Sequence, residues 1–419
     1  MKEKKPGILK EKLPKLSNLS MNGNVESKKE YIDALKKHRN LGDYKNAIEN
    51  MEKIISLEPY NINYQIELAH YYYADKQIIK AKEIAKDLLN SHKDDIEVLR
   101  LNIFFEILDH NYQESLDLAL RLLNKNKNDI SNYLNITGSL IELKRYDEAI
   151  NFSQQSLKIE KNNPSQIANL VKAHTYKKEF KVAFEYVKEI ENILPNHSVI
   201  PSLGIFLREQ LSLDTQFKYL NNPMHFIREY KIPKDDIDKN FFNDLIKYSK
   251  KLPMKWEPKN KTTLSGYQTE SSLFRENKYP VSKLKDVIED KIKNYLNSFK
   301  GIEDLFIKNF PKITKIKGWT VMLEKNGYQN SHCHPEGWLS GIFYIQIPEN
   351  KKDNDGSIEF STHGYDYPKI NNNFKKITIR PEEGKLILFP SSLFHKTIPF
   401  TGKDQRISIA FDIIQNQTN

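Results

Sequence analysis

Five small residues, Ala47, Ala81, Ser115, Ala149 and Ala183, stand 34 residues apart along the first half of this 419-residue chain. Three places before each comes an apolar or aromatic residue: Tyr44, Ile78, Tyr112, Tyr146 and Phe180. Twelve places after each comes Pro59, Lys93, Lys127, Lys161 or Pro195, where a helix is expected to end. One period held five times argues against an unrelated helical bundle. It predicts stacked helical hairpins, in which a small side chain lets paired helices approach and each hairpin covers the apolar face of the next. The all-α solenoid is expected over residues 29–200, with a capping helix and connector at 201–215. Residues 1–28 are basic, carry Pro, Ser and Asn, and read as a disordered tail.

The period, and above all the stretch Gly42-Asp43-Tyr44-Lys45-Asn46-Ala47, resemble tetratricopeptide repeats, with the second and third units degenerate. What that resemblance implies is a concave groove that holds a protein or peptide partner. A purely architectural role, bracing the rest of the chain or building a dimer, is the plain alternative, and the oligomeric state stays open.

The second half carries an ordered set of polar residues: His332 and His334 around Cys333, then His395, then Arg406 and Ser408. On a strand, side chains alternate faces, so His332 and His334 are expected to point together and Cys333 away. Two imidazoles on one face plus a distant third occupy part of a metal's coordination sphere and leave positions open, as redox iron requires for dioxygen and a second substrate. Arg406 and Ser408 share a face by the same rule. A guanidinium beside a hydroxyl can grip a carboxylate through a bidentate pair and one further hydrogen bond. Alone, a histidine pair is more often packing or surface, and a lone arginine more often a solvated charge. The flanking sequence strengthens the reading. Trp338 to Ile345, Lys385 to Pro390 and Ile407 to Ile413 read as buried strands, with turn signals at Asp355-Gly356 and Pro381-Glu382-Glu383-Gly384. His395 is placed in a loop after the second. Short strands in this arrangement suit a jelly-roll, cupin-like barrel.

These residues resemble the 2-oxoglutarate and Fe(II)-dependent oxygenases of the double-stranded β-helix fold. The resemblance runs over residues 216–417. Its motifs are Ser265-Gly266-Tyr267-Gln268-Thr269, Trp319, His332 to Pro335, Gly337-Trp338-Leu339-Ser340-Gly341, Gly384 to His395, and Arg406-Ile407-Ser408. Tyr267 stands where that family is expected to have threonine. What the resemblance implies is a dioxygenase with Fe(II) as cofactor, 2-oxoglutarate and dioxygen as co-substrates and ascorbate as reductant. It would couple decarboxylation of 2-oxoglutarate to succinate with hydroxylation of a second substrate. By the same resemblance His332 and His395 are iron ligands, and Arg406 with Ser408 holds the far carboxylate of 2-oxoglutarate.

The ligand set departs from the two-histidine, one-carboxylate pattern. His334 stands where an acid belongs, unless His334 leads and Glu336 supplies the acid. The favoured set is His332, His334 and His395, with Glu336 as a substitute, and a third reading makes His334 an orienting residue outside the ligand shell. His363 is expected to be exposed in a turn. Cys333, the single cysteine, excludes an intrachain disulfide and fits a reducing, cytoplasmic setting.

Composition closes off other classes. No run of eighteen apolar residues occurs, so no membrane span is expected. The basic start, Met1-Lys2-Glu3-Lys4-Lys5, lacks the apolar stretch of a secretory signal. The formal net charge of +10 is spread among acids without a recognition motif, which argues against nucleic acid as partner. Two other functions compete with the oxygenase: a repeat scaffold whose barrel is inactive, and a three-histidine iron dioxygenase that does not use 2-oxoglutarate. Intact His332, His395 and Arg406 argue against the first, and the Arg406–Ser408 pair against the second.

Overall fold

A computed structural model describes residues 21–41, 43–191, 199–213, 218–232, 240–258, 261–270, 273–275, 277–312, 314–348, 353–372 and 374–415. It comprises two compact units, Met1–Arg145 and Tyr146–Asn419. Of the basic tail expected over 1–28, residues 1–20 lie outside the described residues, and from Met21 onward the chain is helical.

The first unit is built of α1 (Met21–Leu41), α2 (Tyr44–Leu57), α3 (Ile62–Ala74), α4 (Ile78–Ser91), α5 (Ile96–Leu108), α6 (Tyr112–Lys125) and α7 (Ile130–Glu142). The second opens with α8 (Tyr146–Ile159), α9 (Pro164–Tyr176), α10 (Phe180–Glu189) and α11 (Val199–Leu211). All five small residues of the 34-residue period are fully buried in the second helix of their hairpin, as close helix pairing requires. The expected stops at Pro59, Lys93, Lys127 and Lys161 each fall two residues past an observed helix end, whereas Pro195 lies outside the described residues.

Two further periodic devices shape the hairpins. Asn61, Asp95, Asp129 and Asn163, again 34 apart, cap the first helix of each unit by accepting a hydrogen bond from a backbone N–H in its first turn. Between the helices of a hairpin, Lys76, His110, Lys144 and Lys178 adopt the left-handed conformation, with φ of 60 to 68°. These are residues for which that conformation carries a cost, so the turn is imposed by packing of the helices on either side.

The strands are β1 (Arg228–Lys231), β2 (Lys255–Trp256), β3 (Thr263–Gln268), β4 (Thr314–Gln329), β5 (Leu339–Gln346), β6 (Ile358–Ser361), β7 (Lys376–Ile379), β8 (Lys385–Pro390), β9 (Phe394–Thr397) and β10 (Arg406–Gln415). Helices α12 (Phe241–Lys251), α13 (Val281–Ser298) and α14 (Leu305–Lys308) flank them. A seven-stranded antiparallel sheet runs β1-β8-β5-β10-β4-β3-β2, and a three-stranded sheet runs β7-β6-β9. Ile342 and Tyr344 of β5, with Ile387 and Phe389 of β8, share one core with Ile358 and Phe360 of β6, so the two sheets face each other. The opposite face of the large sheet, Phe343, Leu386, Ile407, Ile409, Phe411 and Ile413 among others, joins a second core with α12 and α13. Burial on both faces explains why these strands read as unbroken apolar runs. It also settles direction on β10. The odd positions serve the outer core, which turns Arg406, Ser408, Ala410 and Asp412 inward between the sheets.

The outer core does not stop at the sheet. Ile167, Val171, Phe180, Phe184 and Val187 of α9 and α10, and Leu203 and Phe206 of α11, belong to it. The last repeat helices therefore form one hydrophobic body with the strands.

Candidate metal centre

His395 lies on β9 rather than in the loop expected from its sequence context. His332 and His334 sit not on a strand but in the connection between β4 and β5, where His332 makes an isolated bridge to His395. The two residues exchange both backbone hydrogen bonds, His332 N–H to the His395 carbonyl at 3.0 Å and the reverse at 2.9 Å. That bridge closes the 63-residue gap between them. His334 is tied by its own N–H to the Ser391 carbonyl at 2.9 Å. The three imidazoles converge, each offering a nitrogen within 4.8 Å of the others. Their ring centroids lie 4.3 Å (His332–His395), 4.9 Å (His334–His395) and 5.2 Å (His332–His334) apart.

Each ring has one nitrogen already committed. Nδ1 of His332 lies 2.6 Å from the Asn330 carbonyl, Nδ1 of His395 3.0 Å from the Leu393 carbonyl, and Nδ1 of His334 2.5 Å from Oδ1 of Asp412. A carbonyl oxygen only accepts, so Nδ1 carries the proton in His332 and His395 and the Nε2 lone pair is left for a ligand. Burial, reinforced by the neighbouring imidazoles, holds the His332 ring down to about 3 and the His395 ring well below its ordinary range. Both rings are thus neutral, the form that binds metal. The donor set fits a divalent first-row ion.

Glu336, the substitute acid, does not join the cluster. Its carboxylate is exposed and pairs with Lys317 Nζ at 2.6 Å. Glu336→Ala should therefore leave metal affinity unchanged and shift stability by less than about 1 kcal/mol, the ordinary range for a surface ion pair. Loss of metal binding in that variant, read by titration with Fe(II) under anaerobic conditions, would return Glu336 to the ligand set.

The acid that does reach the centre was missed in the sequence. Asp412 is buried at the inner face of β10, directly opposite Ser340 of β5. Ser340 Oγ donates to its Oδ1 at 2.6 Å and lies 2.7 Å from Ser391 Oγ. An acid in the otherwise apolar run Ile409-Ala410-Phe411-Asp412-Ile413, two and four residues beyond Ala410 and Ser408 on the same face, was the available signal. The glycines of Gly337-Trp338-Leu339-Ser340-Gly341 serve the same packing. A Cβ on Gly337 would fall 2.4 Å from Ser391 Oγ, and one on Gly341 2.2 Å from the Phe411 ring.

Arg406 and Ser408 are both about 1% exposed. The guanidinium donates through Nε to the Gly356 carbonyl at 3.2 Å and through Nη1 to Ser408 Oγ at 3.4 Å, and its carbon lies 4.9 Å from the Tyr344 ring centre. Its Nη2 and the Tyr344 hydroxyl have no hydrogen-bond partner among the described residues, and no carboxylate pairs with Arg406 there. A buried cation in that condition is costly. An anion entering beside Tyr344 relieves the cost.

His363 is half-buried rather than exposed, its ring 4.6 Å from Phe374 and 5.6 Å from Phe206. Cys333 is buried in the outer core, where burial pushes its thiol up from the ordinary value. That makes it packing, not a nucleophile. Among the described residues, no helix is long and apolar enough to cross a membrane.

Residues 317–412 match the family model described as "Putative 2OG-Fe(II) oxygenase", a span that holds all three histidines, Arg406, Ser408 and Asp412. Residues 40–101 match the tetratricopeptide repeat model. The chain thus carries a 2OG-Fe(II) oxygenase-type domain behind tetratricopeptide repeats, as the motifs implied. Among solved structures it is similar to a tetratricopeptide repeat protein from Parabacteroides merdae, at 14% identity over 45% of this chain and 75% of that one, with a TM-score of 0.41. It is also similar to a prolyl-4-hydroxylase from Pseudomonas putida, at 13% identity over 45% of this chain and 92% of that one, with a TM-score of 0.31. No curated protein matches the sequence.

Proposed function

We propose that the chain is an Fe(II)- and 2-oxoglutarate-dependent oxygenase, with residues 216–417 as the catalytic domain and the repeats of 29–200 recruiting a protein or peptide as second substrate. The observation that carries this reading is the convergence of three imidazoles together with the buried guanidinium of Arg406, whose Nη2 has no hydrogen-bond partner among the described residues. His332, His334 and His395 would hold Fe(II) through nitrogen donors and leave coordination positions open. Bound there, Fe(II) supplies dioxygen activation with decarboxylation of 2-oxoglutarate to succinate and hydroxylation of the second substrate.

The chain's own residues do the rest. Arg406 offers a fixed fork, and Ser408 a hydroxyl, to the carboxylate of 2-oxoglutarate that lies away from the metal. Tyr344 lays its ring against that fork and has a free hydroxyl for the same group. Phe360 and Phe389, whose ring centres lie 6.1 and 4.7 Å from that of His395, keep water from the ligand on β9.

Arg406→Lys tests the co-substrate. Lysine keeps the charge and loses the fork, so apparent affinity for 2-oxoglutarate should fall by about 1.5–3 kcal/mol, the range for hydrogen bonds to charged groups. Fe(II) binding should stay as in the parent. Anaerobic titration of Fe(II) protein with 2-oxoglutarate, followed by the visible charge-transfer band, reads both. An unchanged titration, or no band in the parent, would move the reading to a three-histidine dioxygenase that does without 2-oxoglutarate.

A further inference from the structure

Three imidazoles bring no anionic ligand to a divalent ion held among them. Glu336 is turned to Lys317 at the surface. One carboxylate nevertheless reaches the centre from behind. Asp412 Oδ1 lies 2.5 Å from Nδ1 of His334, on the side of the ring away from Nε2. Among the described residues Asp412 is buried without a lysine or arginine partner, and its contacts are the His334 ring and the Ser340 hydroxyl. A buried carboxylate gains from positive charge brought near it. A cation on Nε2 of His334 makes Nδ1–H a stronger donor and brings positive charge within one ring of the carboxylate. Burying Asp412 and binding metal therefore favour each other.

The surroundings fix this contact. Ser340 Oγ lies 2.6 Å from Oδ1 of Asp412, 3.0 Å from Nδ1 of His334 and 2.7 Å from Ser391 Oγ. Ser340 is the residue paired with Asp412 across the sheet, so strand register alone sets their distance. Ser391 in turn holds the backbone of His334 through its carbonyl. Gly337 leaves the space, since a Cβ there would stand 3.3 Å from Asp412 Cγ.

We infer that Asp412 is a positioning residue for the metal centre. It holds His334 with Nε2 presented to the ion and supplies, through that ring, the negative charge that the ligand set itself lacks. The inference rests on the metal-centre part of the proposed function and is independent of the co-substrate and of the second substrate.

Co(II), redox-inert and visible through its d–d absorption, is the probe, used on the full chain. Asp412→Asn keeps an acceptor for Nδ1–H and removes the charge, whereas Asp412→Ala removes both. Co(II) affinity should fall about 10-fold in the first and up to about 100-fold in the second, the range for partners behind a ligating histidine. The absorption of the Co(II)-loaded variants should shift from the parent's. Unchanged affinity overturns the inference. So does a variant that only melts at a lower temperature and, once loaded, absorbs as the parent does, because Asp412 then acts on the fold alone. If both variants fail to fold by circular dichroism, Ser340→Ala decides. It frees the carboxylate on one side and should weaken Co(II) binding several-fold, and parental affinity there overturns the inference. A parent that takes up no Co(II) or Fe(II) sinks the metal centre itself, an outcome distinct from an indifferent Asp412.

Discussion

Replacing His395 with alanine should abolish Fe(II) binding and all turnover. His395 is the one imidazole of the centre that comes from the three-stranded sheet, and its backbone bridge to His332 brings the other two within reach. Without the ring, two imidazoles remain on one loop, a set too small to hold a labile divalent ion. Loss of an orienting partner behind a ligand already costs about 10- to 100-fold in metal affinity, so removal of a ligand should cost more than 100-fold. The backbone bridge persists in the variant, because it uses N–H and C=O groups. The remaining cost is a cavity beside the Phe389 ring, which lies 4.7 Å from the imidazole. Apo melting temperature should therefore drop modestly while iron per chain falls from one to none, measured anaerobically. Retention of one Fe(II) per chain by a folded His395→Ala protein would dismantle the three-imidazole centre.

How much of this was legible in the sequence differs from element to element. The small-residue period placed the second helix of every hairpin, because helix contact distance leaves no freedom at Ala47 and its successors. The left-handed turns at Lys76, His110, Lys144 and Lys178 were not legible, since none of these is Gly or Asn and the turn is dictated by the two helices it joins. In the second unit, strands buried on both faces announced themselves as apolar runs. Their pairing did not, because neighbours such as β8 and β5, or β10 and β4, are brought together by contacts between distant segments. The histidine spacing pointed to the centre, although the strand assumed for His332 and His334 is a loop with a single bridge. Asp412 escaped because one acid in a run of Ile, Ala and Phe gives no periodic signal. It acquires meaning only when the strand register sets Ser340 and His334 beside it. His363 was misread for a similar reason, as part of its cover, Phe206, comes from a helix remote in sequence.

Cutting the chain after residue 200 should destroy the fold of the catalytic unit, whereas a cut between Arg145 and Tyr146 should preserve it. Helices α9 and α10 pack on α11, and aromatic contacts carry that packing to the strands. Phe180 meets Phe206 at 6.1 Å, Phe206 meets Tyr367 at 5.3 Å, and Tyr176 meets Tyr367 at 5.6 Å. Removing α8 to α10 exposes Leu203, Phe206 and Tyr367, each at most 3% exposed in the intact chain. At about 1.5–3 kcal/mol per side chain returned to water, the loss is roughly 5–9 kcal/mol, against a whole-domain stability of about 5–15 kcal/mol. The segment 362–372 that carries Tyr367 also loses its footing, since Gln210 of α11 holds the Ile370 N–H at 2.6 Å and α11 itself is no longer backed. Residues 146–419 keep all of these contacts within one compact unit. The measurement is a pair of thermal melts by circular dichroism with Fe(II) titration of each product. A cooperative melt of the 201–419 fragment at the temperature of the 146–419 fragment would show that the repeat helices are not part of the catalytic fold. The 146–419 fragment should still consume 2-oxoglutarate slowly and lose efficiency on its macromolecular target, because the first unit, with most of the repeats, is gone. Full efficiency on that target would mean that the first unit does not recruit it.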